Sequence, residues 1–281
     1  MAGAAIPSVA PGGSSTEPPP NPASPLAGSR IFITGATSGI GEAFARHYAA
    51  RGATLGLVGR RAGILQSLSD RLPGDGHRSY ALDVRDAVAL RAAAEDFLEA
   101  GPVDVVIASA GISVGTLTTE SDDHAAFQAV FDTNVVGTEA TFAPFAAAMQ
   151  ARGQGTLVGI ASVAGVRGLP GAGAYCASKA AVRLYCESLR VELRGTGVRV
   201  VTLAPGFIAT PMTAGNPYRM PFLMPVDLFV ERAARAIASG DRYRVIPWPM
   251  AWLARLLQCV PRPLFDAVAA RRERKPRQVS P

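Results

Sequence analysis

The sequence predicts an α/β protein built on one doubly wound, parallel sheet of seven strands. From Arg30 onward, short apolar runs alternate with longer helical stretches, which is the pattern of repeated βαβ units. A glycine-rich turn follows the first apolar run and leads directly into a helical stretch. The 281 residues are 48% hydrophobic, which is enough to fill the core of one large domain, so a single domain at 29–247 is expected.

The strands are assigned to the short runs, each of which is apolar or β-branched enough to be buried on both faces of the sheet. They are predicted at 30–34, 54–59, 78–82, 104–108, 155–161, 198–203 and 243–247. Helices with alanine-rich faces, which allow close packing on the sheet, are predicted between them. They lie at about 40–51, 62–71, 86–100, 124–151, 174–194 and 226–239.

Both ends of the chain differ in composition from this domain. Residues 1–28 hold seven prolines and one charged residue, Glu17, so they are predicted to form a disordered leader. Residues 248–281 are predicted to form an apolar helical extension and a basic tail, with five basic residues and one acidic residue within 271–277. We expect the tail to be a solvated end, with no nucleic-acid partner.

The cysteines and histidines carry no recognisable site. Cys176, Cys186 and Cys259 show neither paired nor metal-like spacing, and the three histidines are scattered. We therefore expect no disulfide and no metal. A reducing compartment follows, and a cytoplasmic location is the default expectation.

The turn after the first strand has the composition of an anion-binding cradle. Its spacing, Gly-x₃-Gly-x-Gly, removes side chains where the backbone must approach a pyrophosphate, and the following helix offers free N–H groups at its positive end. No Gly-Lys-Ser/Thr follows, which excludes the phosphate loop of nucleoside triphosphatases. An ordinary glycine-rich turn is the alternative. The candidate cofactor residues here are Gly35, Thr37, Ser38, Gly39, Ile40 and Gly41.

The end of the second strand indicates which dinucleotide is bound. At this position an acidic residue accepts hydrogen bonds from a ribose 2′-hydroxyl, whereas a guanidinium attracts a 2′-phosphate. Gly59 is followed by Arg60 and Arg61, so NADP is predicted and NAD is the less favoured cofactor, unless the arginines only solvate the strand end. After the third strand, Asp83 is a candidate acceptor for an adenine amino group or, equally, a turn-capping residue.

Ser162, Tyr175 and Lys179 form the strongest chemical signal. Tyr175 and Lys179 are four residues apart in a predicted helix, so their side chains share one face. A free tyrosine has a pKa of about 10, and an ammonium about 5 Å away would lower it toward neutral pH. Ser162, at the end of the fifth strand, would hold the substrate oxygen in register with the proton donor. Each residue alone would be read as packing or solvation.

These motifs, with Ala110-Gly111, Asn134 and Pro205-Gly206, make a pattern that resembles the short-chain dehydrogenase/reductase superfamily over about 30–247. The resemblance implies a Rossmann fold with strand order 3-2-1-4-5-6-7. It also implies a catalytic tetrad of Asn134, Ser162, Tyr175 and Lys179. The tyrosine would act as general acid in reduction and as base in oxidation, and Asn134 would hold a water that links the lysine to solvent.

The resemblance further implies contacts with the cofactor beyond the glycine turn and the two arginines. The residues are Asp83, Val84, Ala110, Gly111, Tyr175, Lys179, Pro205, Gly206, Ile208 and Thr210. One position departs from the family pattern, because Ser109 stands where Asn-Ala-Gly is common. Its shorter side chain puts the usual bond across the sheet in doubt. Relatives usually associate through the helices at about 124–151 and 174–194, so a homodimer or homotetramer is expected.

The substrate is indicated only by apolar segments. Residues 207–225 resemble the family's variable substrate lid, and their adaptable side chains suit an apolar small molecule, although core packing is an equal alternative. These side chains are Met212, Met220, Phe222, Leu223 and Met224. The extension after 248 is too short and broken to span a bilayer. It is expected to dock on the domain, with a subunit interface or a peripheral membrane contact as less favoured roles.

The predicted function is hydride transfer between NADPH and a carbonyl compound or secondary alcohol. A serine hydrolase is excluded, because Ala161 and Val163 replace the glycines that would flank a nucleophilic Ser162. An epimerase would need a larger C-terminal substrate domain. A protein that binds NADPH without turnover is the alternative from a different class.

Overall fold

The computed structural model describes residues 28–271 and 273–277 and shows one domain with a central parallel sheet. The strands are β1 (Arg30–Thr34), β2 (Thr54–Gly59), β3 (Arg78–Ala81), β4 (Val105–Ala108), β5 (Gly155–Ile160), β6 (Val198–Pro205), β7 (Ile208–Ala209), β8 (Met224–Pro225) and β9 (Tyr243–Ile246). Seven of them form the sheet in the order β3-β2-β1-β4-β5-β6-β9. The predicted order is therefore confirmed, with β9 as the seventh strand.

Helices cover both faces of the sheet. They are α1 (Gly39–Ala49), α2 (Ala62–Arg71), α3 (Ala87–Glu99), α4 (Asp123–Phe131), α5 (Gly137–Arg152), α6 (Gly173–Glu192), α7 (Pro211–Ala214), α8 (Val226–Ser239), α9 (Trp248–Cys259) and α10 (Arg262–Ala269). One core joins the sheet to α1, α2 and α8, and the other joins it to α3, α5 and α6. This is the Rossmann arrangement that the βαβ pattern predicted.

Side chains of β1 alternate between the two cores, as the pleat of a strand requires. Ile31 and Ile33 pack under the first helical layer, and Phe32 packs under the second. The ring of Phe32 lies 5.7 Å from that of Phe97 and 4.8 Å from that of Phe145. Each such buried side chain contributes about 1.5–3 kcal/mol to folding, so the central strand is held firmly from both sides.

The two edge strands differ from the prediction that every strand is buried on both faces. The residues of β3 are half-buried or exposed, and in β9 Tyr243 is 42% exposed. Both strands have a single neighbour in the sheet, so helices and loops cover them incompletely. The sequence of these two runs predicted that they form strands, but it did not predict that the strands lie at the edges of the sheet.

The predicted helix at 124–151 is interrupted. A π-helical turn, Asp132–Val136, separates α4 from α5. Such a turn accommodates one extra residue in an otherwise continuous helix and often occurs at functional sites. The remaining predicted strands and helices begin and end within two residues of those observed. The short pair β7 and β8, which lies inside the predicted lid, was not foreseen.

The C-terminal segment returns to the domain. Helix α9 follows β9, and its Met250 and Ala254 are buried. Residues 273–277 cross the domain surface, where the N–H of Gly115 donates to the carbonyl oxygen of Pro276 at 3.1 Å. Within 273–277, Lys275, Pro276 and Arg277 are thus bonded to the domain, so this part of the basic tail is not the solvated end that we expected. The leader at 1–28 lies outside the described residues except for Gly28.

No helix within the described part of the chain is both long enough and apolar enough to cross a membrane.

Candidate active site

A cleft opens at the carboxyl ends of β1 and β4. From β1 the chain continues to β2 on one side, and from β4 it continues to β5 on the other side of the sheet. This change of direction leaves a crevice between the helices, and doubly wound sheets bind their ligands in such a crevice. Every residue that the sequence analysis assigned to cofactor binding lines this cleft. Ser162 lines it as well, whereas Asn134 lies fully buried behind its wall.

The glycine turn fits a backbone that approaches a phosphate closely. Gly35 has a φ of +71°, and a Cβ there would lie 2.8 Å from the Cα of Ala110. A Cβ on Gly41 would overlap the carbonyl oxygen of Gly35. Ser38, the N-cap residue of α1, makes no capping hydrogen bond, and the first N–H groups of any helix lack intrahelical acceptors. The turn therefore fits the pyrophosphate of a dinucleotide.

Three charged side chains stand at one end of the cleft, beyond β2. Arg61 donates to the carbonyl oxygen and to Oγ1 of Thr37, at 3.0 Å each. Arg60 is 63% exposed, and its Nη1 lies 3.7 Å from Oδ2 of Asp83. Hydrogen bonds from Arg85 lower the pKa of Asp83, which also accepts from the N–H of Arg85. Asp83 thus caps its turn, which is one of the two roles proposed for it, and it also lines the cleft.

Asn134 lies in the π-helical turn and fixes the loop after β4. Its Nδ2 donates to the carbonyl oxygen of Ile112 and to Oγ of Ser178, both at 3.0 Å, and its Oδ1 accepts from the N–H of Ile112 at 2.8 Å. These three bonds occupy the side chain with protein partners. Asn134 therefore positions the passage of residues 110–112 along the cleft, and its water-holding role stays a prediction.

Ser162 and Tyr175 both line the cleft, and they lie close enough for a bond with Ser162 to affect the pKa of the Tyr175 phenol. Ser162 follows β5, and its Oγ also accepts from the N–H of Ala164 at 3.1 Å. Tyr175 stands in the first turn of α6. Burial raises the pKa of Tyr175 to about 12, while the bond with Ser162 acts in the opposite direction. The pair can present a hydroxyl proton to a substrate oxygen.

Lys179 lies one turn along α6, on the face predicted from its spacing. Its Nζ is 5.9 Å from the centroid of the Tyr175 ring and donates to the carbonyl oxygen of Ile160 at 2.8 Å. Burial lowers the pKa of Lys179 to about 8. The pKa of Tyr175 therefore lies above its ordinary value and not below it as we expected, because the effect of burial exceeds that of the neighbouring polar groups.

A second cavity meets the cleft at these residues. Both are lined by Ser162, Tyr175, Gly206, Met212 and Thr213. The remaining wall of the second cavity is largely apolar and includes Leu253 and Leu257 of α9. The hydroxyl-bearing pair thus stands where a small molecule in one cavity would meet a ligand in the other.

The predicted lid at 207–225 contributes six residues to the wall of this cavity, which are Phe207, Met212, Thr213, Asn216, Tyr218 and Pro221. Of its five named apolar side chains, Met212 lines the cavity, whereas Met224 is buried in the core beside α8. Phe222 and Leu223 are 55% and 47% exposed. The sequence pattern of the lid could not predict which of its apolar side chains line the cavity, which pack in the core and which are exposed to solvent.

Three charged residues of the second cavity were not foreseen as site residues. They are Arg167, Glu273 and Lys275. The last two belong to the basic tail, and sequence spacing offers no signal that a segment about 100 residues after Tyr175 returns to it. Within 28–271 and 273–277, no group of three or more His, Cys, Asp or Glu side chains is arranged to hold a metal.

Comparison with known sequences identifies relatives over most of the chain. The family profile described as short chain dehydrogenase matches residues 29–219. An uncharacterized oxidoreductase of Myxococcus xanthus is 42% identical over 244 residues, which cover 85% of this chain and 96% of that protein.

Solved structures show the same fold. A 3-ketoacyl-(acyl-carrier-protein) reductase from Brucella melitensis, complexed with NADH, is 27% identical with a TM-score of 0.70, over 79% of this chain and 97% of the other. A short chain dehydrogenase from Burkholderia cenocepacia in complex with NADP is 24% identical with a TM-score of 0.75, over 87% of this chain and 98% of the other.

Proposed function

This chain belongs to the short-chain dehydrogenase family, whose members use NAD(P), and we propose that it is an NADP-dependent oxidoreductase acting on a carbonyl compound or secondary alcohol. One observation carries the proposal. Ser162 and Tyr175 stand together at the junction of two cavities, one built on a glycine cradle and the other largely apolar. A proton donor at such a junction suits a reaction between a bound dinucleotide and a small molecule.

The dinucleotide would be held by this chain's own groups along the cleft. The glycine turn and the first N–H groups of α1 would bind the pyrophosphate. Asp83 and Val84 would border the adenine, and Pro205-Gly206 with Ile208 and Thr210 would border the nicotinamide. When bound, the nicotinamide supplies or accepts the hydride.

The protein's part in reduction is to hold the substrate oxygen and give it a proton. Ser162 donates a hydrogen bond to that oxygen, and Tyr175 transfers its phenolic proton to it. Lys179 provides a buried positive charge close to the resulting phenolate, which stabilises it. Asn134 acts through residues 110–112, whose backbone it fixes. In oxidation the same tyrosine accepts the proton.

The preference for NADP rests on the two guanidinium groups beyond β2. Arg61 is engaged with Thr37, whereas Arg60 is more than half exposed and, among the described residues, its ion-pair contact is a long one with Asp83. We expect Arg60→Ala to weaken NADPH binding about 10- to 100-fold, because a charge-assisted bond to the 2′-phosphate is lost. NADH binding should change much less. Fluorescence titration of both cofactors measures the two dissociation constants.

The matched control for this variant is Arg71→Ala, which removes an exposed arginine from the C-terminal end of α2. It should leave both dissociation constants unchanged. Equal affinities of the unaltered protein for NADPH and NADH would overturn the assignment of NADP.

The exposed apolar side chains of α4 and α6 support self-association. Phe127 is 42% exposed, and Leu184 and Val191 are 55% and 59% exposed. We propose a homodimer or homotetramer formed through these helices and α5. Sedimentation analysis of the unaltered protein and of Leu184→Glu tests this, and a monomeric unaltered protein would contradict it.

A panel of aldehydes, ketones and secondary alcohols, followed by nicotinamide absorbance, tests the function as a whole. We expect NADPH consumption with at least one apolar carbonyl compound. NADPH binding without turnover on any member would favour a non-enzymatic binding protein instead.

A further inference from the structure

The segment 273–277, which we call the strap, is anchored to the domain beside the second cavity. Arg277 Nε donates to Oδ2 of Asp123 at 2.8 Å, and its Nη1 lies 3.4 Å from Oε2 of Glu120. Asp123 is 5% exposed, and the same Oδ2 accepts from the N–H of Leu117 at 2.7 Å. The carboxylate is therefore held in place, and Arg277 docks onto a fixed acceptor. The strap is a built part of the cavity wall.

The strap carries Lys275 into the second cavity. Lys275 is half-buried, and its Nζ donates to Oγ of Ser113 at 2.6 Å. The same Nζ lies 5.7 Å from the centroid of the Tyr175 ring, on which the proposed proton donor stands. An ammonium has three N–H donors, and the single hydroxyl of Ser113 accepts one of them. Lys275 thus has donors left for a ligand next to the reaction centre.

The positive charge of Lys275 has no carboxylate paired with it among the described residues. One carboxylate, Glu273, also lines the cavity, but among the residues that the structure describes neither Glu273 nor any other carboxylate forms an ion pair with Lys275. Arg167 also lines the cavity, but it donates to the carbonyl oxygen of Val260 and lies over the ring of Phe265 at 4.3 Å. Burial lowers the pKa of Lys275. An anion bound beside the ammonium would offset that cost of burial.

We propose that Lys275 forms an anion subsite and that the substrate is a carbonyl compound or alcohol that carries a carboxylate. This inference rests on the proposed function and adds its substrate class. The largely apolar wall would contact the carbon frame, while Lys275 and Ser113 bind the carboxylate. Because Lys275 lies close to Tyr175, only a short carbon skeleton would separate the carboxylate of the substrate from its reacting oxygen. The strap would thus determine the preference for substrates that carry a carboxylate.

The experiment uses two matched pairs of small molecules on the full-length protein. The first pair, 4-formylbenzoate and its methyl ester, is compared by kcat/KM with NADPH. The second pair, 4-methylbenzoate and 4-methylbenzamide, is compared by calorimetric binding without turnover. We expect the carboxylate of each pair to be favoured about 10- to 100-fold, as one charge-assisted hydrogen bond provides.

Three variants locate the effect. Lys275→Met should reduce both preferences to within about threefold, and Lys275→Arg should restore most of them, because the positive charge is kept. Arg277→Ala should weaken the preference in the same direction, because it releases the strap. Arg271→Met removes one exposed positive charge from the same end of the chain and should leave both preferences unchanged.

The two readouts separate this inference from the proposed function. Carboxylate binding that depends on Lys275, with no NADPH oxidation on any carbonyl compound, would support the subsite and contradict the oxidoreductase. Turnover with equal preference for acid and ester, or an acid preference that survives in Lys275→Met, would overturn the subsite and leave the oxidoreductase standing.

Discussion

Tyr175→Phe is expected to lower kcat/KM for carbonyl reduction about 10³-fold while NADPH binding stays within about threefold of the unaltered protein. The variant keeps the aromatic ring and removes the phenolic hydroxyl at the junction of the two cavities, while the hydroxyl of Ser162 stays. General acid catalysis by a positioned side chain contributes roughly 10²- to 10⁴-fold, so the loss should fall mainly on kcat. Steady-state kinetics and cofactor titration measure the two quantities separately.

Tyr185→Phe is the matched control for this variant. Tyr185 lies on the same helix, packs against Phe142 and is half-buried, but it lines neither cavity. We expect its removal to change kcat/KM less than twofold. If Tyr175→Phe retained the activity of this control, the proton would come from another group.

Lys179→Met is expected to combine a large loss of activity with a pH-dependent effect on stability. Activity should fall about 10²-fold or more, because the buried charge that stabilises the phenolate is removed. Burial lowers the pKa of Lys179 to about 8, against an ordinary value of 10.5. Between these two values the unfolded chain binds more protons at this site than the folded protein does. The cost of burying the ammonium is therefore fully present below pH 8 and is relieved as the pH rises toward 10.5.

The free energy of unfolding of the unaltered protein should consequently rise relative to that of Lys179→Met between pH 7 and pH 11. The expected change in this difference is on the order of 3 kcal/mol, from the pKa change at about 1.4 kcal/mol per pH unit. Urea denaturation of both proteins at several pH values measures it, and groups common to both proteins cancel. A difference that stays constant over this range would mean that Lys179 is not buried as a charge.

Features that depend on neighbouring residues in the chain could be predicted from the sequence. Apolar runs and glycines are read in short windows, so the strands and the glycine turn with Gly35 and Gly41 could be predicted. The strand order followed from the resemblance to a known family. The common face of Tyr175 and Lys179 follows from helical spacing alone. Their pKa values did not follow, because the burial of both groups arises from elements distant in the chain.

Features that depend on distant contacts were missed for the same reason. The π-helical turn at Asp132–Val136 contains no glycine or proline that would mark an interruption of the helix in the sequence. The position of Lys275 depends on the ion pair of Arg277 with Asp123, which are 154 residues apart. The basic run of the tail resembled a solvated end because its acidic partners lie in another part of the sequence.

Hydride transfer is tested most directly by following deuterium from NADPH that carries deuterium at both C4 positions of the nicotinamide to the product of 4-formylbenzoate reduction. Mass spectrometry of the alcohol formed in a single turnover should show one deuterium on the carbinol carbon. Tyr175→Phe should form the same labelled alcohol about 10³-fold more slowly. An unlabelled alcohol, or equal rates for the two proteins, would contradict hydride transfer with Tyr175 as the proton donor.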